Sequence, residues 1–299
     1  MSQQMPLFAP ESNWAPPQNL PDLSSAKEIA VDLETHDPDL IHKGPGWATN
    51  SGEVVGVSLA TEHWSGYLPF GHQGGGNLEK GFVVNWLKKQ MATSSDKIFH
   101  NAMYDVGWLR RLGVEVSGTI HDTMIAAPLV NENRNRYSLD SLGSEYCGER
   151  KDESLLREAA HSFGVDPKSG MWKLPSNYVG PYAEQDAVLT LKLWQVLKNL
   201  LDKEEVTKIY SLERDLLPLL LEMRWNGVRV DENAAHEKSK YLKGAEYKLL
   251  DQITKDYGTA IEVWNARSIA KVFDKAGLTY PRTPKSNQPS FTAQWLEGH

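Results

Sequence analysis

The order of its strand-like and helical segments constrains the fold of this chain more than any other feature of the sequence. Five segments have the apolar alternation or short apolar runs typical of strands. They are Glu28–Glu34, Val54–Ala60, Trp64–Leu68, Lys97–His100 and Ile120–Asp122. Helical spacing occurs between them at Leu78–Met91 and Ala102–Leu112, and it dominates the chain after Asp122. Strands followed by helices favour an α/β or α+β fold, with one sheet covered by helices.

Composition and charge are those of a soluble globular protein, with 40% hydrophobic and 24% charged residues. The single cysteine, Cys147, excludes an intrachain disulfide and a zinc site built on thiolates, and it fits a reducing cytoplasm. No signal peptide is evident, and the most apolar window, 216–221, is too short to cross a bilayer. The net charge of −7 argues mildly against coating duplex DNA, but not against a site that binds cations through uncompensated carboxylates.

Two carboxylates stand close together on the first predicted strand. Asp32 and Glu34 share one face of it, because side chains alternate along a strand. Neighbouring carboxylates repel each other unless a cation lies between them, and they are costly to bury unpaired. The pair therefore indicates a hard divalent metal such as Mg²⁺ or Mn²⁺. By itself, the same spacing also occurs at exposed strand edges and in turns.

Two further acids lie on predicted helices. Asp105 ends the stretch that begins at Asn101, one turn into a helix. For Asp105 alone, the favoured explanation is a first-turn acid that stabilises the helix dipole. Tyr182 and Asp186 are four residues apart and are therefore neighbours on one helix face. The tyrosine alone is equally explained by packing.

Taken together and in this order, the three motifs resemble a known family. The pattern Asp-x-Glu, Asn-x-x-Tyr-Asp and Tyr-x-x-x-Asp is similar to the 3′→5′ proofreading exonuclease domain of DNA polymerase I-like (family A) DNA polymerases, phage members especially. The intervening His121–Met124 and Ser138–Leu142 also resemble that family. The resemblance covers residues 27–200. It implies an RNase H-like (DnaQ-like) exonuclease fold with a central mixed sheet and flanking helices, followed by a smaller helical region.

The resemblance also implies a chemistry, namely a two-metal-ion 3′→5′ exonuclease that removes nucleotides from DNA 3′ ends. Its two divalent ions, Mg²⁺ or Mn²⁺, would be held by Asp32, Glu34, Asp105 and Asp186. Asp32 would bridge both ions. Glu34 and Asp186 would complete the coordination of the first, and Asp105 would reach the second through water.

Three more residues take their expected roles from the same resemblance. Tyr182 would orient the attacking water by a hydrogen bond, since a phenol is protonated at neutral pH. Thr35 and Asn101 would contact the terminal nucleotide. The expected partner is DNA with a single-stranded or frayed 3′ end, in a bacterial or phage-infected cytoplasm, with no membrane involved.

The sequence divides into three predicted regions. Residues 1–24 form an extended, weakly ordered arm, 25–202 the exonuclease domain, and 203–299 a helical region. Within the last, Leu212–Asp231 and Asn265–Ser268 resemble the start of the polymerase thumb. The palm and fingers have no counterpart here, so no template-directed synthesis is expected from this chain alone. Two explanations stay open: the chain is a fragment, or a separate chain carries the palm and fingers.

Two other functions are also considered. An RNA-trimming exonuclease resembling RNase D shares the same motifs, but the thumb-like tail argues against it. A nuclease-like binding module would normally lack one or more of the acids, and here all four are present. Trp47, in a Gly-Pro-Gly loop, could stack on an unpaired base, although an anchor for its own loop is the favoured interpretation.

Overall fold

The computed structural model of the protein describes residues 9–298. The chain forms two compact units, Met1–Gly227 and Val228–His299. Among the described residues, no helix is both long and apolar enough to span a membrane.

The first unit is built on a five-stranded mixed sheet with the strand order β3-β2-β1-β4-β5. Strand β1 pairs antiparallel with β2 and parallel with β4, while β2–β3 is antiparallel and β4–β5 is parallel. The strands are β1 (Glu28–His36), β2 (Glu53–Ala60), β3 (Ser65–Pro69), β4 (Asp96–Phe99) and β5 (Ile120–Asp122). All five predicted strands are confirmed, with bounds that differ by at most a few residues.

Nine α-helices are described in this unit, and most of them were predicted. They are α1 (Leu40–Lys43), α2 (Gly46–Thr49), α3 (Lys80–Met91), α4 (Ala102–Arg111), α5 (Thr123–Val130), α6 (Leu139–Leu142), α7 (Ser154–Phe163), α8 (Ser176–Lys203) and α9 (Thr207–Asn226). Helices α1 and α2 were not predicted, because four residues are too few to show a helical period. Helix α7 lies in the part of the chain after Asp122 where helical spacing dominates, and its buried Leu156, Ala159 and Ala160 have that spacing.

The two faces of the sheet are covered by different helices. Ile29, Val31 and Leu33 of β1 belong to the core that contains residues of α3 and α4. The alternate residue Ala30 belongs to the core that contains residues of α5 and α8. Because side chains alternate along a strand, Asp32 and Glu34 share the face of Ala30, towards α8. Small residues on this face, Ala30 included, allow α8 to lie close to the sheet.

The N-terminal arm is more firmly held than its composition predicted. From residue 9 to 25 it has neither helix nor strand, but Trp14 packs against Gly180 of α8 and donates to Glu184 Oε1 at 3.1 Å. Further along, the Leu23 amide donates to Gln90 Oε1 at 2.8 Å. Single anchoring side chains have no periodicity, so the sequence pattern did not indicate them. The first eight residues of the predicted arm lie outside the described part.

Helix α9 belongs to the first unit, whereas the predicted exonuclease domain ended at residue 202. Leu217 and Leu221 are buried in the same core as α3 and α4. Trp225, near the end of α9, stacks on Trp47 with ring centroids 6.0 Å apart. Trp47 is only 2% exposed and lies against Gly107 of α4. It therefore anchors its own loop, as favoured from the sequence, and is too buried to stack on a nucleic-acid base.

The second unit is a small helical assembly. Its helices are α10 (Glu232–Tyr257), α11 (Ala266–Ala276) and α12 (Ala293–Glu297). Phe273 of α11 lies at the centre of an aromatic cluster with Tyr280, Phe291 and Trp295, with ring centroids 5.0–6.0 Å from its own. This cluster holds the irregular segment after α11 against that helix.

Candidate active site

Three carboxylates from two elements meet on the α8 face of the sheet. Asp32 and Glu34 project from β1, and Asp186 projects from α8. One oxygen of each lies within 4.8 Å of the others. Asp186 is buried, whereas Asp32 and Glu34 are partly buried. The structure thus brings together three of the four acids that the sequence assigned to metal binding.

The residues around Glu34 are closely packed. Glu34 pairs with Gly56 of β2, and the register shifts immediately after it, which bends the strand. A side chain at position 56 would collide with the Tyr67 hydroxyl, 2.2 Å from the expected Cβ position. Gly56 therefore leaves room for the Tyr67 ring, whose hydroxyl is bonded to His72 Nε2 at 2.7 Å. Both rings are buried, and burial and then the charges of Glu34 and Asp32 raise the pKa of Tyr67 well above its ordinary value.

Asp105 approaches the same strand from helix α4. It is 4% exposed, and its Oδ1 accepts a hydrogen bond from the Leu33 amide at 3.2 Å. Leu33 stands between Asp32 and Glu34, so Asp105 reaches the backbone that carries the other two acids. Asp105 is not part of the group of three close carboxylates. Its place at the edge of that group is compatible with the predicted contact to the second metal ion through water.

Asp122 fixes the start of α4 and was not singled out from the sequence. Its two carboxylate oxygens accept from the amides of Asn101 at 2.9 Å, Ala102 at 2.7 Å and Met124 at 2.8 Å. Asn101 has a positive φ of 76°, a conformation that asparagine tolerates better than most residues. The carboxylate thereby holds a tight turn from which Asp105 follows within one helical turn.

Lys151 is the one cation found in contact with the three clustered acids among residues 9–298. Its Nζ donates to Asp186 Oδ2 at 2.6 Å and to the Tyr182 hydroxyl at 3.4 Å. It also lies 5.1 Å from the centre of the Tyr182 ring. This contact was not predicted, because Glu149–Glu153 is a run of charged residues that resembles a solvated loop. Tyr182 itself lies one turn before Asp186 on α8, as predicted.

The two predicted nucleotide contacts have different surroundings. Thr35 Oγ1 lies 2.7 Å from the Tyr104 hydroxyl, which donates to Asp37 Oδ2 at 3.1 Å. Because Tyr104 has a single proton, Thr35 must be the donor in its own contact. Asn101 is exposed at the start of α4. Contact between either residue and a terminal nucleotide stays a prediction.

The site has a strong excess of negative charge, which together with burial raises the pKa values of its acids. Burial, together with neighbouring Asp186, raises the pKa of Asp32 to about 7. Burial and the charge of Asp32 raise the pKa of Glu34 well above its ordinary value, and the same two causes act on Asp105. Burial also raises the pKa of Asp186, although Lys151 opposes this. One ammonium group therefore offsets only part of the charge of four carboxylates.

These residues fit a divalent cation. All the donors are carboxylate oxygens, the ligands preferred by Mg²⁺ and Mn²⁺. Asp186 Oδ1 is buried and has no hydrogen-bond partner within the described part of the chain. A cation among the three carboxylates would give this oxygen a partner and relieve the mutual repulsion that raises their pKa values.

The raised pKa values predict a pH dependence for the metal-free protein. Between about pH 6.5 and about pH 8 the folded protein should hold more protons on these acids than the unfolded chain, so its stability should fall as the pH rises. Asp32 illustrates the sign, with a folded pKa of about 7 against an ordinary value of 3.8. The buried His72 and His100, with folded pKa values of about 4 against an ordinary 6.5, oppose this fall only near pH 6.5, where the unfolded chain still protonates them, and this opposing effect fades as the pH rises.

Thermal unfolding followed by circular dichroism in chelator, across this pH range, measures the effect. Asp32→Asn removes one of the titrating groups and should flatten the slope. A melting temperature of the wild type that stays constant or rises over the same range would contradict the assignment of buried, mutually repelling acids.

Comparisons with known proteins agree on the fold. A family model described as 3′-5′ exonuclease matches residues 18–202. A DNA-directed DNA polymerase from Pseudomonas phage M6 is 35% identical over 291 residues, which are 94% of this chain and 44% of the relative. The DNA polymerase DpoZ of Salmonella phage PMBT28 is 30% identical over 79% of this chain and 36% of its own length. The chain thus spans less than half the length of these curated relatives.

Solved structures point the same way. The POL domain of Pol1 from M. smegmatis, in complex with DNA primer-template and dNTP, superposes with a TM-score of 0.64 at 17% identity. That match covers 90% of this chain and 41% of the other. Brucella melitensis NrnC bound to pGG has a TM-score of 0.50 at 18% identity and covers 71% of this chain and 94% of its own. The mixed sheet with flanking helices is an RNase H-like fold, as the sequence implied.

Proposed function

This chain belongs to the 3′-5′ exonuclease family, and we propose that it removes nucleotides from DNA 3′ ends at the centre formed by Asp32, Glu34, Asp105 and Asp186. The observation that carries the proposal is the meeting of three carboxylates within 4.8 Å. The unpartnered Asp186 Oδ1 adds to it. Such an arrangement is unfavourable without a cation, because neighbouring carboxylates repel each other.

Two divalent cations, Mg²⁺ or Mn²⁺, are proposed as the cofactors of this centre. Asp32, Glu34 and Asp186 would hold the first, and Asp105 together with Asp32 would hold the second. Such ions, when bound, supply a hydroxide nucleophile near neutral pH and stabilise the negative charge that develops on a phosphodiester. The protein contributes fixed carboxylates, on a strand and two helices, whose positions are set before the substrate arrives.

Tyr182 is proposed to orient the attacking water by donating a hydrogen bond. Burial, and then the nearby Asp186 and Glu34 charges, raise its pKa far above the ordinary value of a phenol. The hydroxyl therefore stays protonated at any physiological pH and cannot act as a general base. Its place one turn from Asp186 sets its position relative to the carboxylates.

The strand to be cut is proposed to lie in the cleft beside Tyr182. This cleft has a volume of about 750 Å³, and its lining includes the cationic Arg150, Lys151, Arg157 and Lys168. Cationic side chains along a groove attract the phosphates of a nucleic-acid strand. Two acids, Asp140 and Glu153, also line it, so the cleft has a net positive charge in an otherwise acidic chain.

The biological role that fits best is proofreading for a family A DNA polymerase. The match of 94% of this chain to a phage DNA polymerase supports it, and it supports 203–299 as the beginning of a thumb. Thr35 and Asn101 are proposed to contact the terminal nucleotide. The polymerase palm and fingers would belong to the same polypeptide or to a separate chain, in a bacterial or phage-infected cytoplasm.

An oligonucleotide assay tests the proposal. The protein should shorten single-stranded DNA from its 3′ end with Mg²⁺ or Mn²⁺, leaving a 5′ label on a ladder of products, and it should be inactive in chelator. A matched RNA strand should be cut more slowly. Full activity in chelator would exclude the proposed metal centre. Immediate release of a 5′ label would exclude cleavage in the 3′→5′ direction. A preference for RNA would favour the RNA-trimming alternative.

A further inference from the structure

The ammonium group of Lys151 is set deep in the carboxylate centre. Its side chain is 13% exposed and that of Asp186 is 5% exposed, and the two are 2.6 Å apart. A buried ion pair of this kind has a high cost of desolvation, so its presence needs an explanation beyond stability. Burial alone would lower the pKa of Lys151, but Asp186, Asp32 and Glu34 raise it, so the group is charged in the metal-free protein.

Lys151 and a divalent cation would compete for the carboxylate of Asp186. Lys151 takes Oδ2, while Oδ1 has no partner. A cation held by Asp186 together with Asp32 and Glu34 would lie within a few ångströms of the ammonium group, and like charges so close repel strongly. Lysine has a long flexible stem and three donors, so it can leave one acceptor for another.

The ammonium group of Lys151 has a second polar environment next to it. Lys151 also lines the cleft of about 750 Å³ in which Arg150, Arg157 and Lys168 are found. The cleft is open to water, and its lining includes the acids Asp140 and Glu153 and the hydroxyl of Ser138. Rotation of the stem into the cleft would therefore exchange a carboxylate partner for solvent and for the polar groups of this lining.

We propose that Lys151 is a positioning residue of the exonuclease site that exchanges with the divalent cation. Without metal, its ammonium group stands in for the cation and holds Asp186 and Tyr182 in their working places. When the cation takes Asp186, the ammonium group turns into the cleft. The inference rests on the proposed function, because it takes the three carboxylates as metal ligands.

The exchange has a measurable consequence for metal affinity. Every cation that binds must first displace Lys151, so removing the charge should strengthen binding. In Lys151→Met, which keeps the length of the side chain, we expect Mn²⁺ to bind about tenfold more tightly at pH 8, because a repelling unit charge a few ångströms away is gone. Lys168→Met removes an exposed charge from the same cleft and should leave the affinity nearly unchanged.

Isothermal titration calorimetry with Mn²⁺ on the full chain gives these affinities. Unchanged or weaker binding by Lys151→Met would overturn the exchange and leave Lys151 a structural ion pair. If the wild type itself binds no Mn²⁺, the proposed metal centre fails instead, so the two failures are distinguishable.

A measurement on the wild-type protein tests the exchange without relying on a variant that could fail to fold. An amine-reactive acetylating reagent, with mass spectrometry of the modified peptides, reports the accessibility of each lysine. Lys151 should be protected in chelator and become several-fold more reactive in saturating Mn²⁺, whereas the exposed Lys168 should react equally in both. Equal labelling of Lys151 in the two conditions would refute the exchange.

Discussion

Asp32→Asn is expected to lower the exonuclease rate by more than about 100-fold, beyond the 10–100-fold that is typical when only a neighbour of a metal ligand is changed. Asp32 belongs to the same group of close carboxylates as Glu34 and Asp186, and its charge raises the pKa of both Glu34 and Asp105. Asparagine keeps the shape of the side chain but removes the charge that would be shared by two cations. Initial rates on a 5′-labelled single-stranded DNA, at saturating Mg²⁺, measure the loss.

Two further variants separate the cause of that loss from general effects. Tyr182→Phe removes only the hydroxyl, so the rate should fall while Mn²⁺ binding by calorimetry stays near that of the wild type. Glu213→Gln removes the same unit of charge at an exposed position of α9 and should change neither quantity. Wild-type cleavage by Asp32→Asn would show that the catalytic centre lies elsewhere.

The parts of the site that could be predicted from the sequence are those with local patterns. Alternation along β1 placed Asp32 and Glu34 on one face, and the four-residue spacing placed Tyr182 beside Asp186. Whether Asp186 reaches β1 depends on how closely α8 packs on the sheet. The closeness of Asp186 to the acids of β1 could be predicted only from the family resemblance. The small residues Ala30 and Ala60 allow that close packing, and they became recognisable as a pair only from the strand pairing.

Lys151 and Asp122 could not be predicted, for different physical reasons. Lys151 is far from Asp186 in sequence and lies in a charged run with no period, so only the tertiary fold brings the two together. Asp122 is the last residue of the short strand β5, and its position there is also that of an ordinary helix cap for α5. Its bonds to the amides of Asn101 and Ala102 arise because β4 and β5 are parallel neighbours.

The end of the exonuclease domain was also difficult to predict from local sequence patterns. The sequence placed the end of the exonuclease domain at residue 202, where the helical pattern of α8 ends. Leu217 and Leu221 of α9 nevertheless belong to the core beside the sheet. An amphipathic helix has an apolar face whichever neighbour it packs on, so its pattern predicts the helix and does not identify the core that it joins.

Asp122→Ala is expected to destabilise the protein by about 3 kcal/mol or more, since it leaves backbone donors without an acceptor at about 1–3 kcal/mol each. Three amides, those of Asn101, Ala102 and Met124, lose the same carboxylate. Asp122 is 4% exposed, so water cannot readily replace it. Urea unfolding in saturating Mg²⁺ measures the change, and Asp122→Asn, which keeps one acceptor oxygen, should lose less.

The same substitution should also slow cleavage, by roughly 10–100-fold, as expected for a group that orients a metal ligand without binding the metal. The turn at Asn101 sets where α4 begins, and Asp105 follows it in the first turn. A matched comparison is Asp231→Ala, which removes the cap of α10, where the carboxylate accepts from the Ala234 amide at 3.0 Å. That variant should lose only about 1 kcal/mol, typical of an exposed cap, and keep its rate. If Asp122→Ala lost stability but cleaved DNA at the wild-type rate well below its melting temperature, the start of α4 would not control Asp105, and the acid would have to be positioned by its bond to the Leu33 amide alone.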